Sequence, residues 1–135
     1  MAVVEQLLRT ESDGTISFGN YELQEKKKLD NYEHEGNILK VKTFKDITKL
    51  EQNEMFLYES VPGTAVAHFK ESEGGVSFEV DGPGDAQITV GLEDNAEYHV
   101  LVDGKSVGPM KTGVGGKLSL SVSLGNTPVK VDIHK

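Results

Sequence analysis

Between Ile88 and Lys105 the chain alternates apolar and polar positions in two short runs, first Ile88, Val90 and Leu92, then Tyr98, Val100 and Val102. Successive side chains of a strand point to opposite faces, so each run predicts a strand with one apolar side. The polar segment from Glu93 to Ala96 reads as a reversal between them. Asp103-Gly104, just after, supplies the positive φ angles of a tight two-residue hairpin. The same alternation continues on either side of this stretch: Ala65, Ala67 and Phe69; Val76, Phe78 and Val80; Val129, Val131 and Ile133. In one run Leu118, Leu120, Val122 and Leu124 alternate with Ser119, Ser121 and Ser123. Glycine or proline punctuates the runs at Gly74-Gly75, Gly82-Pro83-Gly84, Gly113 to Gly116 and Gly125 to Pro128. The pattern predicts an all-β chain whose C-terminal part is an antiparallel sandwich or barrel.

The first half is less regular. Val3, Val4, Leu7 and Leu8 fall at i, i+1, i+4 and i+5, one apolar stripe of a short N-terminal helix over Ala2 to Arg9. So short a helix must pack on the sheet or on another copy of the protein. Thr15 to Phe18 and Tyr21 to Leu23 read as short strands around a Gly19-Asn20 turn. Gln24 to Asn37 is polar, with Lys26, Lys27 and Lys28 followed by Glu33 and Glu35, and reads as a solvated loop or strand edge rather than a basic binding patch. Ile38 to Phe44 is a strand with Leu39 and Val41 opposite Lys40 and Lys42, and Met55 to Tyr58 is an apolar run consistent with a strand covered on both sides. Periodicity leaves Asp46 to Asn53 open between a helical turn and a broad loop. Val61-Pro62-Gly63 divides the chain into an N-terminal helix and β region, 1–60, and a sandwich-like region, 61–135, the two being separate units or one compact domain.

Composition narrows the functional classes. With 14 basic and 22 acidic residues among 135 and a net charge of −8, the chain repels a phosphate backbone, so nucleic acid is not an expected partner. The absence of cysteine removes thiol chemistry and disulfides. The opening MAVVEQLLRTESDG has neither the cationic lead of a signal peptide nor the apolar length of a membrane span, which points to a cytoplasmic protein without membrane contact. Arg9 is the single arginine, so any anion site must rely on lysine and backbone N–H groups.

Leu92-Glu93-Asp94-Asn95-Ala96-Glu97-Tyr98 resembles the tyrosine corner of fibronectin type III and other immunoglobulin-like sandwiches, with a leucine six residues before a tyrosine. The resemblance covers at most Thr64 to Lys135 and implies a structural Tyr98, its ring in the core and its hydroxyl returned to nearby backbone. The segments TISFGNYEL and TKLEQNEMFLYESVPGTAV are similar to small uncharacterised bacterial proteins that carry the name endosialidase. Sialidases as a class grip the substrate carboxylate with an arginine cluster, which this chain cannot build alone.

Candidate chemistry is sparse. His34, His68, His99 and His134 lack ligand spacing, and the alternation turns His99 and His134 away from the apolar faces. Asp81 and Asp85 flank a Gly-Pro-Gly turn, and Glu93, Asp94 and Glu97 crowd another corner, but neither set follows a calcium loop. KTGVGGKL, Lys111 to Leu118, lacks the leading glycine and the hydroxyl residue of a phosphate loop and reads as a strand connection. The sequence therefore predicts a non-catalytic structural or protein-interaction role with no cofactor, its partner being another protein or a second copy, with Val3, Val4, Leu7 and Leu8 and the exposed part of Met55 to Tyr58 as the first candidate surfaces. A second reading is a carbohydrate-binding module using Tyr21, Tyr32 and Tyr58. A third is a glycan-active enzyme, which would need Glu33, Glu35 or other paired carboxylates on opposite sides of a cleft.

Overall fold

The alternating segments do form strands. The structure, a computed structural model, describes residues 3–125 and 127–135. Its first half contains β1 (Leu8–Thr10), β2 (Ile16–Phe18), β3 (Lys27–His34), β4 (Asn37–Phe44), β5 (Ile47–Gln52) and β6 (Met55–Val61). The second contains β7 (Ala65–Ser72), β8 (Gly75–Asp81), β9 (Ala86–Gly91), β10 (Glu97–Val102), β11 (Lys105–Lys111), β12 (Lys117–Val122) and β13 (Val129–His134). Among the described residues there is no helix. A seven-stranded sheet runs β1-β2-β7-β8-β13-β10-β11 and a six-stranded sheet runs β12-β9-β6-β5-β4-β3, each neighbour pair antiparallel.

Register shows how period-two sequence becomes a core. Across the six-stranded sheet, Leu29, Val41, Leu50, Tyr58, Val90 and Leu118 stand opposite one another in a single apolar row. On the other sheet Phe78, Val131 and Val102 make a comparable row, flanked by Val76, Ile133 and Val100. The two faces close on one buried cluster that draws residues from both halves of the chain. Tyr58, from the six-stranded sheet, meets Phe18 and Phe78, from the seven-stranded one, edge to face at 5.2 and 5.6 Å. The Val61-Pro62-Gly63 turn therefore carries the chain between the two sheets of a shared interior. The Glu93 to Ala96 reversal does the same, so the strands it joins lie in different sheets.

Turn chemistry follows the sequence where it is read locally. Asp103 and Gly104 adopt φ of 51° and 80°, and Val102 pairs with Lys105 across the hairpin. Gly116 lies against the Leu92 carbonyl so closely that a Cβ would sit 2.1 Å from its oxygen, which accounts for glycine in the KTGVGGKL connection.

Four local expectations need correction. The helix over Ala2 to Arg9 is not formed among the described residues, Ala2 lying outside them. Leu7 stands at φ 73°, a left-handed conformation incompatible with continuing a right-handed helix. Its N–H donates to the Val4 carbonyl at 3.0 Å and its own carbonyl accepts from Gly19 at 3.1 Å, so the segment is a tight turn feeding β1. Tyr21 to Leu23 is not a strand: the Asn20 side chain accepts from the Glu22 N–H at 3.0 Å, and the Leu23 carbonyl accepts from Lys45 at 2.9 Å. Asp46 to Asn53 is mainly β5, turned at its end by Asn53 and Glu54 at positive φ. Met55 is 71% exposed rather than covered on both sides. Pairing passes from Leu50–Tyr58 to Glu51–Phe56, leaving Leu57 as an extra residue, and this bulge is what buries both Leu57 and Tyr58.

One end of the core is polar and fully bonded. Thr43, Thr48, Ser60 and Thr64 are all buried. Thr43 accepts from the Asn20 N–H at 2.9 Å and lies 2.8 Å from the Thr48 hydroxyl. Thr48 donates to the Thr64 carbonyl at 2.8 Å and accepts from its N–H at 3.1 Å. The Tyr58 and Ser60 hydroxyls reach Thr64 Oγ1 at 2.8 and 2.7 Å. Burial pushes the Tyr58 phenol far above its ordinary value, so it serves as a neutral hydrogen-bonding group. Satisfied polar groups of this kind avoid the desolvation penalty an unpaired hydroxyl would carry.

Candidate functional site

The polar side chains nominated by the sequence converge best at the end of the sandwich where the β1–β2 and β3–β4 hairpins meet β7. A hollow of about 170 Å³ there is lined by Asp13, Thr15, His34, Glu35, Lys70 and Glu71, among others. Alternation in β3 turns Tyr32 and His34 inward and Glu33 outward, so Glu33 does not share this hollow with Glu35. The Tyr32 hydroxyl lies 2.9 Å from Thr10 Oγ1, joining β3 to β1.

Two histidine–carboxylate pairs flank the hollow. His68, itself at φ 54°, places Nδ1 3.1 Å from Thr15 Oγ1 and 3.2 Å from Asp13 Oδ2. Both contacts fall on the same ring nitrogen, whereas a nucleophile relay sets acid and hydroxyl on opposite nitrogens. Thr15 moreover donates its hydroxyl to Asp13 Oδ1 at 2.6 Å and its N–H to the same oxygen at 3.0 Å, a local turn. Those two bonds, the hydroxyl's first, hold the Asp13 carboxyl below its ordinary value.

His34 does face two partners from opposite nitrogens, Thr10 Oγ1 at 3.4 Å and Glu35 Oε2 at 3.6 Å. Both separations exceed catalytic hydrogen-bond reach, and Thr10 already engages Tyr32. Nearby, Ser17 and Arg9 donate to Glu11 Oε2 at 2.5 and 3.0 Å; the Ser17 bond is the main reason this carboxyl is held low. Arg9 thereby pairs within its own chain through Nε. These contacts fasten the first two strands to β3 and β7.

The other nominated residues are dispersed. Val4 and Leu8 are buried in the molecule's own core, Leu7 packs against that core and Val3 is half-buried, so the stripe proposed for self-association is not an open face. Tyr58 is interior and offers no ring to a sugar. Tyr21 and Tyr32 are half-buried on different segments, and burial raises the Tyr21 phenol, helped by Asp81 and Glu22. Tyr98 is buried and its hydroxyl accepts from the Glu93 N–H at 3.2 Å, a structural use. Asp81 accepts from the Gly82 N–H at 2.9 Å, so at least one oxygen of that turn is bonded to the chain. Among the described residues no group of three or more His, Asp or Glu could hold a metal.

What sequence reading missed is the character of the sheet edges. Edge strand β1 is only three residues long. Edge strand β3 carries Lys27 and Lys28 and an extra residue where Asp30 and Asn31, the latter at φ 57°, lie between the Leu29–Val41 and Tyr32–Leu39 pairs. Edge strand β11 has lysine at both ends, Pro109 within, and a register shift at Val107-Gly108 with Gly108 at φ 95°. Length, charge, proline and bulges are the usual devices that stop an edge from pairing with another chain. Edge strand β12 has almost none of them. All six of its residues pair in unbroken register with β9, and Lys117 is its only charge. The signal was present in the sequence as the uninterrupted alternation of leucine and serine. No protein-family model, curated protein or solved structure matches this chain.

Proposed function

We propose that the protein is a non-catalytic interaction module that self-associates through the free edge of β12. The observation that carries this reading is the contrast between three guarded edges and one straight, nearly uncharged one. A second copy is the partner best matched to it. Antiparallel pairing about Leu120 sets Leu118 opposite Val122 and Ser119 opposite Ser121 of the other copy, extending both the apolar and the hydroxyl face of the sheet. Lys117 then meets Ser123 rather than its own counterpart, so no like charges oppose one another. The contact is isologous and closes on itself as a dimer.

Light scattering after size exclusion tests it. The native chain is expected at twice the 14.7 kDa of one copy, and Ser119→Lys with Ser121→Lys, both on exposed positions, is expected at one copy. A native chain that runs as a monomer at about 100 μM, where even a weak specific dimer with a Kd near 10 μM forms, would defeat the reading.

A further inference from the structure

The outer face of the six-stranded sheet holds a row that the linear sequence scatters over three segments. Lys28 pairs with Lys42, and Lys42 with Lys49, directly across β3, β4 and β5. They alternate with the apolar row of Leu29, Val41 and Leu50, so all three ammonium groups leave the same outer surface. Lys40 stands on that surface one pair along, opposite Glu51. Like charges directly opposed destabilise a sheet, and this chain, with net charge −8, had acidic residues to spare for neutralising them. Instead Glu51 is the one acid among the five residues lining the hollow there, and its carboxylate lies 3.8 Å from Lys49 Nζ. Burial, then the neighbouring Lys26, Lys49 and Lys28, hold the Lys42 ammonium below its ordinary value. The repulsion is thus sensed at the centre of the row.

We infer that this lysine row is a binding site for a compact ligand carrying several phosphate-type oxyanions, which would add counter-charge beyond that of Glu51 and Glu59, above all at Lys28 and Lys42, which face lysine across the strands. Its dimensions set the class. Adjacent strands are about 4.8 Å apart, so Lys28 and Lys49 emerge roughly 10 Å from each other. The hollow lined by Lys28, Lys40, Lys42, Lys49 and Glu51 measures about 160 Å³. The row ends abruptly: the residue paired with Lys49 on the next strand is Glu59, and β3 is the sheet edge on the other side. A long polyanion would leave the patch for the surrounding negative surface, whereas an oligophosphate fits inside it. Lysine is suited to such a site as a flexible point charge that needs no bidentate geometry.

The test uses the full chain and sodium tripolyphosphate as the probe, followed by calorimetric titration and by thermal shift. Tripolyphosphate is expected to bind at least about tenfold more tightly than inorganic phosphate at equal ionic strength, the scale of two added exposed ion pairs. Lys42→Gln should weaken it about fivefold and Lys28→Gln with Lys42→Gln should abolish it, while Lys42→Arg retains it and Lys105→Gln, on the other sheet, leaves it unchanged. These variants relieve repulsion, so loss of the fold is not a route to a negative result. Tripolyphosphate raising the melting temperature no more than sodium chloride of the same ionic strength would reduce the effect to screening and overturn the site. So would tighter binding of dextran sulfate or an oligonucleotide through the same lysines, which would overturn the compact ligand.

Discussion

The two edges of the six-stranded sheet are built to opposite rules. Strand β3 has no fully buried residue, is bulged and presents lysines, whereas β12 buries every second side chain, is straight and presents serines. One edge buries little and repels other chains; the other is anchored by its core face and leaves its backbone open. The lesson is that an edge becomes a docking template only when side-chain burial first fixes the strand's position, since a frayed strand presents no register to copy.

The largest expected effect breaks this difference at its source. Leu120→Ala removes a side chain 6% exposed in the core and should cost about 2–5 kcal/mol, read from urea unfolding. Leu29→Ala, on half-buried β3, should cost roughly half as much because less area leaves the interior. Equal costs would mean that β12 is no better anchored than β3.

A smaller effect of opposite sign is expected at the basic edge. Lys42→Glu replaces two cross-strand repulsions with two attractions, to Lys28 and Lys49, and should stabilise by roughly 0.5–1 kcal/mol, a rise of about 2–4 °C in Tm. Added salt should raise Tm in the native chain more than in this variant.

The smallest effect is in pH. Because the folded state holds the Lys42 proton less firmly than the ordinary value of 10.5, the unfolded chain binds more protons between the two values. The penalty is fully present below the folded value and vanishes as pH rises towards 10.5. Subtracting the stability curve of Lys42→Gln from that of the native chain should isolate that rise; a flat difference would show that Lys42 is not strained.

How much of this was legible in the chain depends on the range of the interaction concerned. The strands from Ala65 onward other than β11, and the Asp103-Gly104 hairpin, are written locally, as alternation and turn chemistry, and form where those rules place them; β11 has no such alternation and is carried by the hairpin. Leu7 and Leu8 fit a helical stripe equally well in the sequence; the choice against it comes from Gly19, which bonds Val4 and Leu7 from across a hairpin. Lys26 to Lys28 read as a solvated loop or a strand edge, and Lys27 and Lys28 begin edge strand β3, but no local pattern brings Lys42 and Lys49 beside them. That juxtaposition exists only in the register of three strands. The nominated contact residues failed for a related reason: Val4, Leu8 and Tyr58 carry greasy side chains that an interior and an interface want equally, and the interior claimed them.

The hydroxyl chain at the polar end of the core has a direction. Thr48 spends its hydrogen on the Thr64 carbonyl, so the hydrogen between Thr43 and Thr48 has to come from Thr43, whose lone pairs in turn receive the Asn20 amide. Such a one-way circuit tolerates no isosteric valine at either threonine, because the vacancy would strand a donor upstream or an acceptor downstream. The segment that enters at Asn20 is thereby addressed to a single berth, and the amino-terminal hairpin cannot slide along the sheet it joins.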